Sequence, residues 1–199
     1  MNKDTSMDKA PKKPTLFVDR DGVICKYVPW LHKIQDFELL PGVISAISKL
    51  RFHGFYIIVV TNQAMLAKGL LTFKELDEIH GRMKRELGSA SPDAIYFCPH
   101  HPEKNPQGVS ELQIECECRK PKTGLIEQAC KEFAIDLSHS FMVGDSWRDI
   151  ACGASAGLKT VGILRGEGLL NPGHTELKPN FVCNSLEEAA EWILQSTKV

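Results

Sequence analysis

Pairs of aspartates follow two apolar runs in this sequence, and their placement predicts a cluster of carboxylates. Asp19 and Asp21 come directly after the apolar residues 15–18, and Asp145 and Asp149 come after a second apolar run. Short apolar runs without alternation are typical of strands buried in a parallel sheet. Because the carboxyl ends of parallel strands meet at the same edge of a sheet, we expect these side chains to converge.

Carboxylates brought together in this way repel one another unless a cation lies between them. Oxygen ligands that leave coordination positions open favour Mg²⁺, which also binds the phosphate of a substrate. One aspartate beside such an ion can attack phosphorus and form an aspartyl phosphate. A second aspartate, two residues further on, can protonate the leaving oxygen and later deprotonate the attacking water. The cluster therefore predicts phosphoryl transfer assisted by magnesium.

Three further polar residues are of the types that stabilise negative charge on phosphoryl oxygens. Such charge calls for a hydroxyl, an amide and a cation. Thr61 and Asn62 follow the apolar run 55–60 and could supply the hydroxyl and the amide. Lys120 could supply the cation.

Three cysteines and a histidine form a second group of potential ligands. One residue separates Cys98 from His100, and one residue separates Cys116 from Cys118. Three thiolates and one imidazole are a standard tetrahedral set for Zn²⁺, and a site with four protein ligands is structural rather than catalytic. Residues 98–118 lack periodicity, and a loop of this length in a small domain needs something to hold it. The alternative is that these are ordinary loop residues whose thiols bind no metal.

Strands and helices must alternate along the chain to position these residues. Apolar runs predict strands at 15–18, 55–60, 94–97, 141–143 and 160–164. Helical spacing and capping boxes predict helices at 43–52 and 125–133 and after Thr72, Ser146 and Ser185. The alternation predicts an α/β fold with a parallel, Rossmann-like sheet flanked by helices. Asp149 lies in the capping box of Ser146, so it either caps a helix or supports the metal ligands.

Composition and charge limit the class of protein. Residues 1–13 predict a flexible tail, and residues 14–199 predict a single domain with the loop 98–118 and no large cap domain. Lys and Arg number 24 against 25 Asp and Glu, a balance that argues against a nucleic-acid partner. No apolar run reaches the roughly 18 residues of a membrane span. Seven cysteines, an odd number, argue against a secreted disulfide framework. We therefore expect a monomeric, cytoplasmic enzyme that acts on a small molecule.

The motifs around the carboxylates resemble, in the same order, those of the haloacid dehalogenase (HAD) superfamily. The matching residues are Asp19-Arg20-Asp21-Gly22, Thr61-Asn62, Lys120 and Gly144-Asp145-x-x-x-Asp149. The resemblance implies that Asp19 is the nucleophile and Asp21 the acid and base, with Thr61 and Lys120 also catalytic. It further implies that Mg²⁺ is held by Asp19, Asp21 and Asp145.

The cysteine pattern narrows the resemblance to one branch of that superfamily. The strings Cys98-Pro99-His100-His101-Pro102 and Cys116-x-Cys118-Arg119-Lys120-Pro121 resemble the D-glycero-D-manno-heptose 1,7-bisphosphate 7-phosphatases. Their nearest relatives are the histidinol-phosphate phosphatases. The resemblance implies hydrolysis of the 7-phosphate of a small sugar bisphosphate, with Arg119 in contact with the substrate. The other substrate contacts that we expect are Arg20, Asn62 and Gln63.

Three departures from the family pattern lie on the substrate side. Residues 27–30 lack the usual Gly-Tyr, Ala64-Met65 replaces Ser-Gly, and Ser146 stands where a lysine is frequent. The sugar therefore stays open, and a histidinol-phosphate phosphatase or another small-molecule HAD phosphatase is the first alternative. A polynucleotide 3′-phosphatase would need a basic groove that the charge balance does not predict. A zinc-stabilised binding module without activity would have no use for the paired Asp19 and Asp21.

Overall fold

Among the described residues, six parallel strands form one sheet at the centre of the molecule. The computed structural model describes residues 11–29, 31–164, 168–169 and 177–197. The strands are β1 (Thr15–Val18), β2 (Tyr56–Asn62), β3 (Ala94–Cys98), β4 (Phe141–Gly144), β5 (Lys159–Ile163) and β6 (Phe181–Cys183). Their order across the sheet is β3-β2-β1-β4-β5-β6. The strands that precede the two aspartate pairs, β1 and β4, are therefore neighbours, and the predicted parallel sheet is confirmed.

Helices of the described residues cover both faces of this sheet. They are α1 (Val43–Phe52), α2 (Phe73–Leu87), α3 (Gly124–Glu132), α4 (Trp147–Ser155) and α5 (Leu186–Ser196). One core packs α1, α2 and α5 against one face, and a second core packs α3 and α4 against the other. Along β2, Ile57 and Val59 enter the first core while Ile58 and Val60 enter the second. Successive side chains point to opposite faces, which explains why this strand is apolar throughout.

Two helices begin with reciprocal capping boxes, as the sequence predicts. At α2 the backbone N–H of Thr72 donates to Glu75 Oε2 (2.8 Å), and the N–H of Glu75 donates to Thr72 Oγ1 (3.2 Å). Gly88 ends α2 with a φ of 55°, a conformation that glycine adopts without strain. Ser146 and Asp149 form the corresponding box at α4.

Two strands depart from the prediction by more than one residue at an end: β2 is longer than predicted, and β6 was not predicted. β2 continues beyond its apolar run, so that Thr61 and Asn62 pair with Phe97 and Cys98 of β3. Backbone pairing does not depend on side-chain polarity, so the apolar pattern could not give this boundary. β6 was not predicted, because three residues at the edge of a sheet are too few to produce a recognisable period.

The segments that connect the strands are loops and helices of the same domain. None of the described connections forms a separate cap domain. In the part of the chain that the structure describes, no helix combines the length and apolar character that a membrane crossing requires. Residues 1–10 of the predicted tail and Trp30 lie outside the described residues. The division into a tail and one domain stays a prediction.

Candidate active site

A pocket of about 220 Å³ opens at the carboxyl edge of the sheet. Of the predicted site residues, those that line it are Asp19, Asp21, Thr61, Asn62, Arg119, Lys120 and Asp145. Tyr27, Ser146, Arg148 and Asp149 complete its wall. Arg20 and Gln63 are buried and do not line the pocket.

Three carboxylates converge at the bottom of this pocket. Asp19, Asp145 and Asp149 each offer one oxygen, and these oxygens all lie within 4.8 Å of one another. Burial, with the nearby charges of Asp19 and Asp149, raises the pKa of Asp145 to about 8. Burial also raises the pKa of Asp19 to about 6, despite the opposing effect of Lys120. The site is therefore short of positive charge, and its oxygen donors fit a divalent cation such as Mg²⁺.

Lys120 forms ion pairs with two of these carboxylates. Its side chain is 2% exposed, and its Nζ lies 3.0 Å from Asp19 Oδ1 and 2.5 Å from Asp149 Oδ1. It also donates to the carbonyl oxygen of Val60 at 2.8 Å. Burial alone would lower the pKa of Lys120, but the two carboxylates raise it above its usual range. The ammonium is therefore permanently charged and fixed in position beside Asp19.

Asp149 both caps a helix and holds the lysine. Its Oδ2 accepts from the backbone N–H of Ser146 (3.0 Å) and from the Ser146 hydroxyl (2.8 Å), while Oδ1 faces Lys120. Of the two possibilities that the sequence leaves open for Asp149, the structure shows the helix cap, which also orients the carboxylate toward the lysine. Support of the metal ligands by Asp149 stays a prediction.

Two glycines allow these carboxylates to approach the backbone closely. Gly22 has a φ of 78°, and a Cβ built on it would collide with Asp145 Oδ2. A Cβ on Gly144 would collide with the side chain of Asp149. Close packing therefore requires a glycine in both aspartate motifs, and at Gly22 the positive φ favours glycine as well.

Thr61 and Asn62 lie at the end of β2 and face the same pocket. The Asn62 side chain forms two hydrogen bonds with the backbone of Lys120: Nδ2 donates to the carbonyl oxygen, and Oδ1 accepts from the N–H, both at 3.0 Å. Thr61 Oγ1 accepts from Gln63 Nε2 at 2.9 Å. Asn62 thus fixes the backbone that carries the lysine, a contact between distant residues that no sequence pattern predicts.

Asp21 lines the pocket, but its carboxylate lies outside the group of three. Arg20 Nε donates to Asp21 Oδ1 (3.0 Å) and Nη2 to Oδ2 (2.8 Å), and Gln63 Nε2 also donates to Oδ2 (3.0 Å). Burial would raise the pKa of Asp21, but the Arg20 guanidinium lowers it below its usual range. The structure therefore places Asp21 beside the predicted metal site without joining its carboxylate to Asp19, Asp145 and Asp149.

Two arginines lie at the wall of the pocket. Arg119 Nη1 donates to the carbonyl oxygen of His100 at 3.1 Å, and the guanidinium of Arg148 lies 5.1 Å from the ring centroid of Trp147. Burial and the nearby Arg148 lower the pKa of Arg119. Among the described residues, no carboxylate forms an ion pair with either guanidinium. Sequence reasoning missed Arg148; its only signal is its position directly before Asp149.

The cysteine and histidine side chains form a second convergent group next to this pocket. Ligand atoms of Cys98, His100, Cys116 and Cys118 all lie within 4.8 Å of one another. The sulfur–sulfur and sulfur–Nδ1 distances run from 3.3 Å (His100 to Cys118) to 3.8 Å (Cys98 to His100). Four ligands about 2.3 Å from a tetrahedral ion lie about 3.8 Å apart. The donor set and its spacing therefore fit one Zn²⁺.

The loop 98–118 has a second anchor besides this cluster. Gln113 is buried; its Oε1 accepts from the N–H of Asn105 (2.9 Å), and its Nε2 donates to the Asn105 carbonyl oxygen (2.7 Å). The N–H of Val109 donates to the carbonyl oxygen of Ala67 at 2.9 Å. The loop is therefore folded, with hydrogen bonds that periodicity does not predict.

Comparison with known sequences finds relatives along most of the chain. The model of the HAD-hydrolase-like family matches residues 117–189. The D-glycero-beta-D-manno-heptose-1,7-bisphosphate 7-phosphatase of Haemophilus ducreyi is 35% identical over 185 residues, 91% of this chain and 98% of that protein. The D-glycero-alpha-D-manno-heptose-1,7-bisphosphate 7-phosphatase of Photorhabdus laumondii is 42% identical over 144 residues, 71% of this chain and 77% of that protein.

Comparison with solved structures gives a similar result. The D,D-heptose 1,7-bisphosphate phosphatase from B. bronchiseptica, complexed with magnesium and phosphate, has a TM-score of 0.79 and 31% sequence identity. The match covers 92% of this chain and 99% of that one.

Proposed function

Because the chain belongs to the family of heptose-1,7-bisphosphate 7-phosphatases within the HAD-like hydrolases, we propose that it hydrolyses the 7-phosphate of a heptose 1,7-bisphosphate. It is a phosphoric monoester hydrolase. The observation that carries the proposal is the pocket in which Asp19, Lys120 and the carboxylates of Asp145 and Asp149 meet. Phosphoryl transfer requires an oxygen nucleophile and positive charge at the phosphoryl oxygens. Asp19 and Lys120 supply the first and part of the second, and the excess of carboxylates leaves room for a divalent cation.

We propose that Asp19 and Asp145 hold the magnesium ion. Both carboxylates line the pocket, whereas the oxygens of Asp149 are taken by Lys120 and Ser146. The ion supplies positive charge that offsets the negative phosphoryl oxygens. Asp21 stays a predicted third ligand, although Arg20 and Gln63 engage its carboxylate in this structure.

The residues of the pocket account for both halves of the reaction. A carboxylate oxygen of Asp19 attacks phosphorus, and the bond from phosphorus to the sugar oxygen breaks. Asp21 is ionised in this structure, so it must first take up a proton, which the negative charge of the bound phosphate favours; it then gives that proton to the sugar oxygen. Asp21, now ionised, takes a proton from water as the water oxygen attacks the aspartyl phosphate. Inorganic phosphate leaves and the Asp19 carboxylate is restored. Lys120 and the Thr61 hydroxyl stabilise the charge on the phosphoryl oxygens.

We propose that Cys98, His100, Cys116 and Cys118 bind one structural Zn²⁺. Four protein ligands leave no position for a water molecule, so this ion has no part in bond cleavage. Cys118 directly precedes Arg119, so the site fixes where this guanidinium points. Arg119 offers a bidentate fork for the second phosphate of the substrate, and Arg148 adds charge nearby.

A phosphate-release assay tests the proposed function. Purified protein with Mg²⁺ is expected to release one phosphate from heptose 1,7-bisphosphate much faster than from histidinol phosphate, and Asp19→Asn is expected to be inactive. Faster release from histidinol phosphate would show that the substrate is that of the related histidinol-phosphate phosphatases and not a heptose bisphosphate. Equal release by Asp19→Asn would remove Asp19 as nucleophile.

We further propose that the enzyme works as a cytoplasmic monomer on this small substrate, without a nucleic-acid or membrane partner. The near balance of charges, with a net charge of −1, supports the absence of a polyanionic partner. Size-exclusion chromatography with light scattering tests the monomer, for which a mass of 22.2 kDa is expected.

A further inference from the structure

A buried histidine, His80, contacts Arg20, the residue that pairs with the proposed acid and base Asp21. His80 lies on α2 and is 6% exposed, and its Nε2 is 3.1 Å from Arg20 Nη1. Its ring packs 5.9 Å, centroid to centroid, from the ring of Phe97. A guanidinium can only donate, so the Nε2 of His80 must be the acceptor and its proton must sit on Nδ1.

Arg20 connects this histidine to Asp21. Arg20 is 1% exposed. Its guanidinium donates to both oxygens of Asp21, through Nε and Nη2, and Nη2 also donates to Gln63 Oε1 at 3.0 Å. Nη1 is the arm of the fork that does not reach Asp21, and His80 satisfies it. Each end of the guanidinium is thereby fixed.

We propose that His80 is a positioning residue, which acts through Arg20 to hold the carboxylate of Asp21 in place as the acid and base of the proposed reaction. The inference rests on the proposed function, since only phosphoryl transfer gives Asp21 that task. Arg20 and Gln63, which the sequence predicted as substrate contacts, then serve the same positioning.

A neutral hydrogen-bond acceptor is the suitable partner for Nη1 of Arg20, the nitrogen that does not contact Asp21. A carboxylate at position 80 would compete with Asp21 for the guanidinium, and an apolar side chain would leave a buried N–H unsatisfied. Burial and the charge of Arg20 lower the pKa of His80 to about 3, so the ring is neutral near pH 7. The histidine thus orients Arg20 without weakening its pairing with Asp21.

Leaving-group dependence tests this positioning. A sugar alkoxide needs a proton from Asp21, whereas p-nitrophenolate leaves without one. Loss of kcat/KM reports on formation of the aspartyl phosphate alone, and not on its hydrolysis, which is common to both substrates. In His80→Leu we expect kcat/KM for heptose 1,7-bisphosphate to fall at least about tenfold more than kcat/KM for p-nitrophenyl phosphate. His80→Gln keeps a neutral acceptor and is expected to recover most of the loss.

Met83→Ala is the matched control. Met83 is also buried on α2, one turn further along. It is expected to lower Tm and to leave the ratio of the two kcat/KM values unchanged. Equal losses of kcat/KM for both substrates in His80→Leu, or a His80→Gln variant as impaired as His80→Leu, would overturn the positioning role.

A measurement without turnover covers the case in which a variant fails to fold. ¹⁵N spectra of the wild-type imidazole are expected to show a neutral ring protonated on Nδ1 at pH 6. A charged ring, or a ring protonated on Nε2, would overturn the inference whatever the substrate. Failure of the proposed function is distinct, since it would appear as wild-type protein that leaves heptose 1,7-bisphosphate intact.

Discussion

Replacing Asp149 with asparagine tests whether the buried Lys120 depends on two carboxylates. Asp149 is fully buried, with Oδ1 2.5 Å from Lys120 Nζ and Oδ2 3.0 Å from the backbone nitrogen of Ser146. Asparagine has one acceptor and one donor at these positions. In either orientation its NH₂ group therefore faces a donor, and one of the two contacts is lost.

The structure sets the expected size of the effect. Removing one partner of a buried ion pair costs about 3–5 kcal/mol of unfolding free energy. Lys120 keeps Asp19 at 3.0 Å, and the change relieves repulsion among Asp19, Asp145 and Asp149. We therefore expect the low end, about 3 kcal/mol. For a chain of this size that corresponds to a fall in Tm of about 6–12 °C.

Thermal and urea unfolding, in buffer without added Mg²⁺ and without chelator, measure this loss while the cysteine site keeps its metal. Ser146→Ala is the control, because it removes the hydroxyl bond to Asp149 Oδ2 (2.8 Å) and leaves Lys120 paired. It is expected to cost about 1 kcal/mol. If Asp149→Asn costs no more than Ser146→Ala, the carboxylate is only a helix cap and the reasoning is wrong.

The remaining predictions concern the nucleophile, the two metals and the buried histidine. Asp19→Asn is expected to lose turnover and keep its fold, as checked by phosphate release and circular dichroism, because an amide cannot attack phosphorus. Asp145→Asn is expected to raise the Mg²⁺ concentration for half-maximal activity at least about tenfold; an unchanged value would remove it from the ligands. Cys116→Ala is expected to lose the roughly one zinc per chain that metal analysis should find, and to lower Tm and kcat/KM; equal stability and activity without zinc would contradict a structural site. Burial and the charge of Arg20 lower the pKa of His80 from its ordinary value of 6.5 to about 3 in the folded protein. The unfolded chain thus binds more protons between these values, and stability falls as pH falls. From pH 7 to pH 5, wild type is expected to lose about 2 kcal/mol more than His80→Gln in urea unfolding, and an equal loss would mean that the ring titrates normally.

The sequence predicted those parts of the fold and site that depend on local patterns. The apolar runs before Asp19 and Asp145 predicted parallel strands whose carboxyl ends lie at one edge of the sheet, and the capping box at Thr72 predicted the start of α2. The resemblance to the HAD superfamily is confirmed by relatives that cover most of the chain.

The parts that the sequence did not predict depend on contacts between distant residues. Arg20 was expected to face the substrate, but its four hydrogen-bonding contacts are made inward, one of them to His80, sixty residues further along the chain. No spacing rule encodes such a pair. A polar residue at position 80 on the apolar face of α2 was the available signal, since it lies four residues after Leu76.

The two hydrogen bonds between Asn62 and the backbone of Lys120 mean that Lys120 and its neighbour Arg119 are held by different parts of the protein. Lys120 is tethered to β2 by Asn62, to Val60 through its ammonium and to α4 through Asp149. Arg119, one residue earlier, depends on the loop and the carbonyl oxygen of His100. A change in the length or sequence of the loop 98–118 can therefore move Arg119 and alter the substrate preference. Such a change leaves Lys120, which serves bond cleavage, in the position that the sheet fixes. Exchange of loops between relatives is thus a route to new phosphatases whose chemistry is retained.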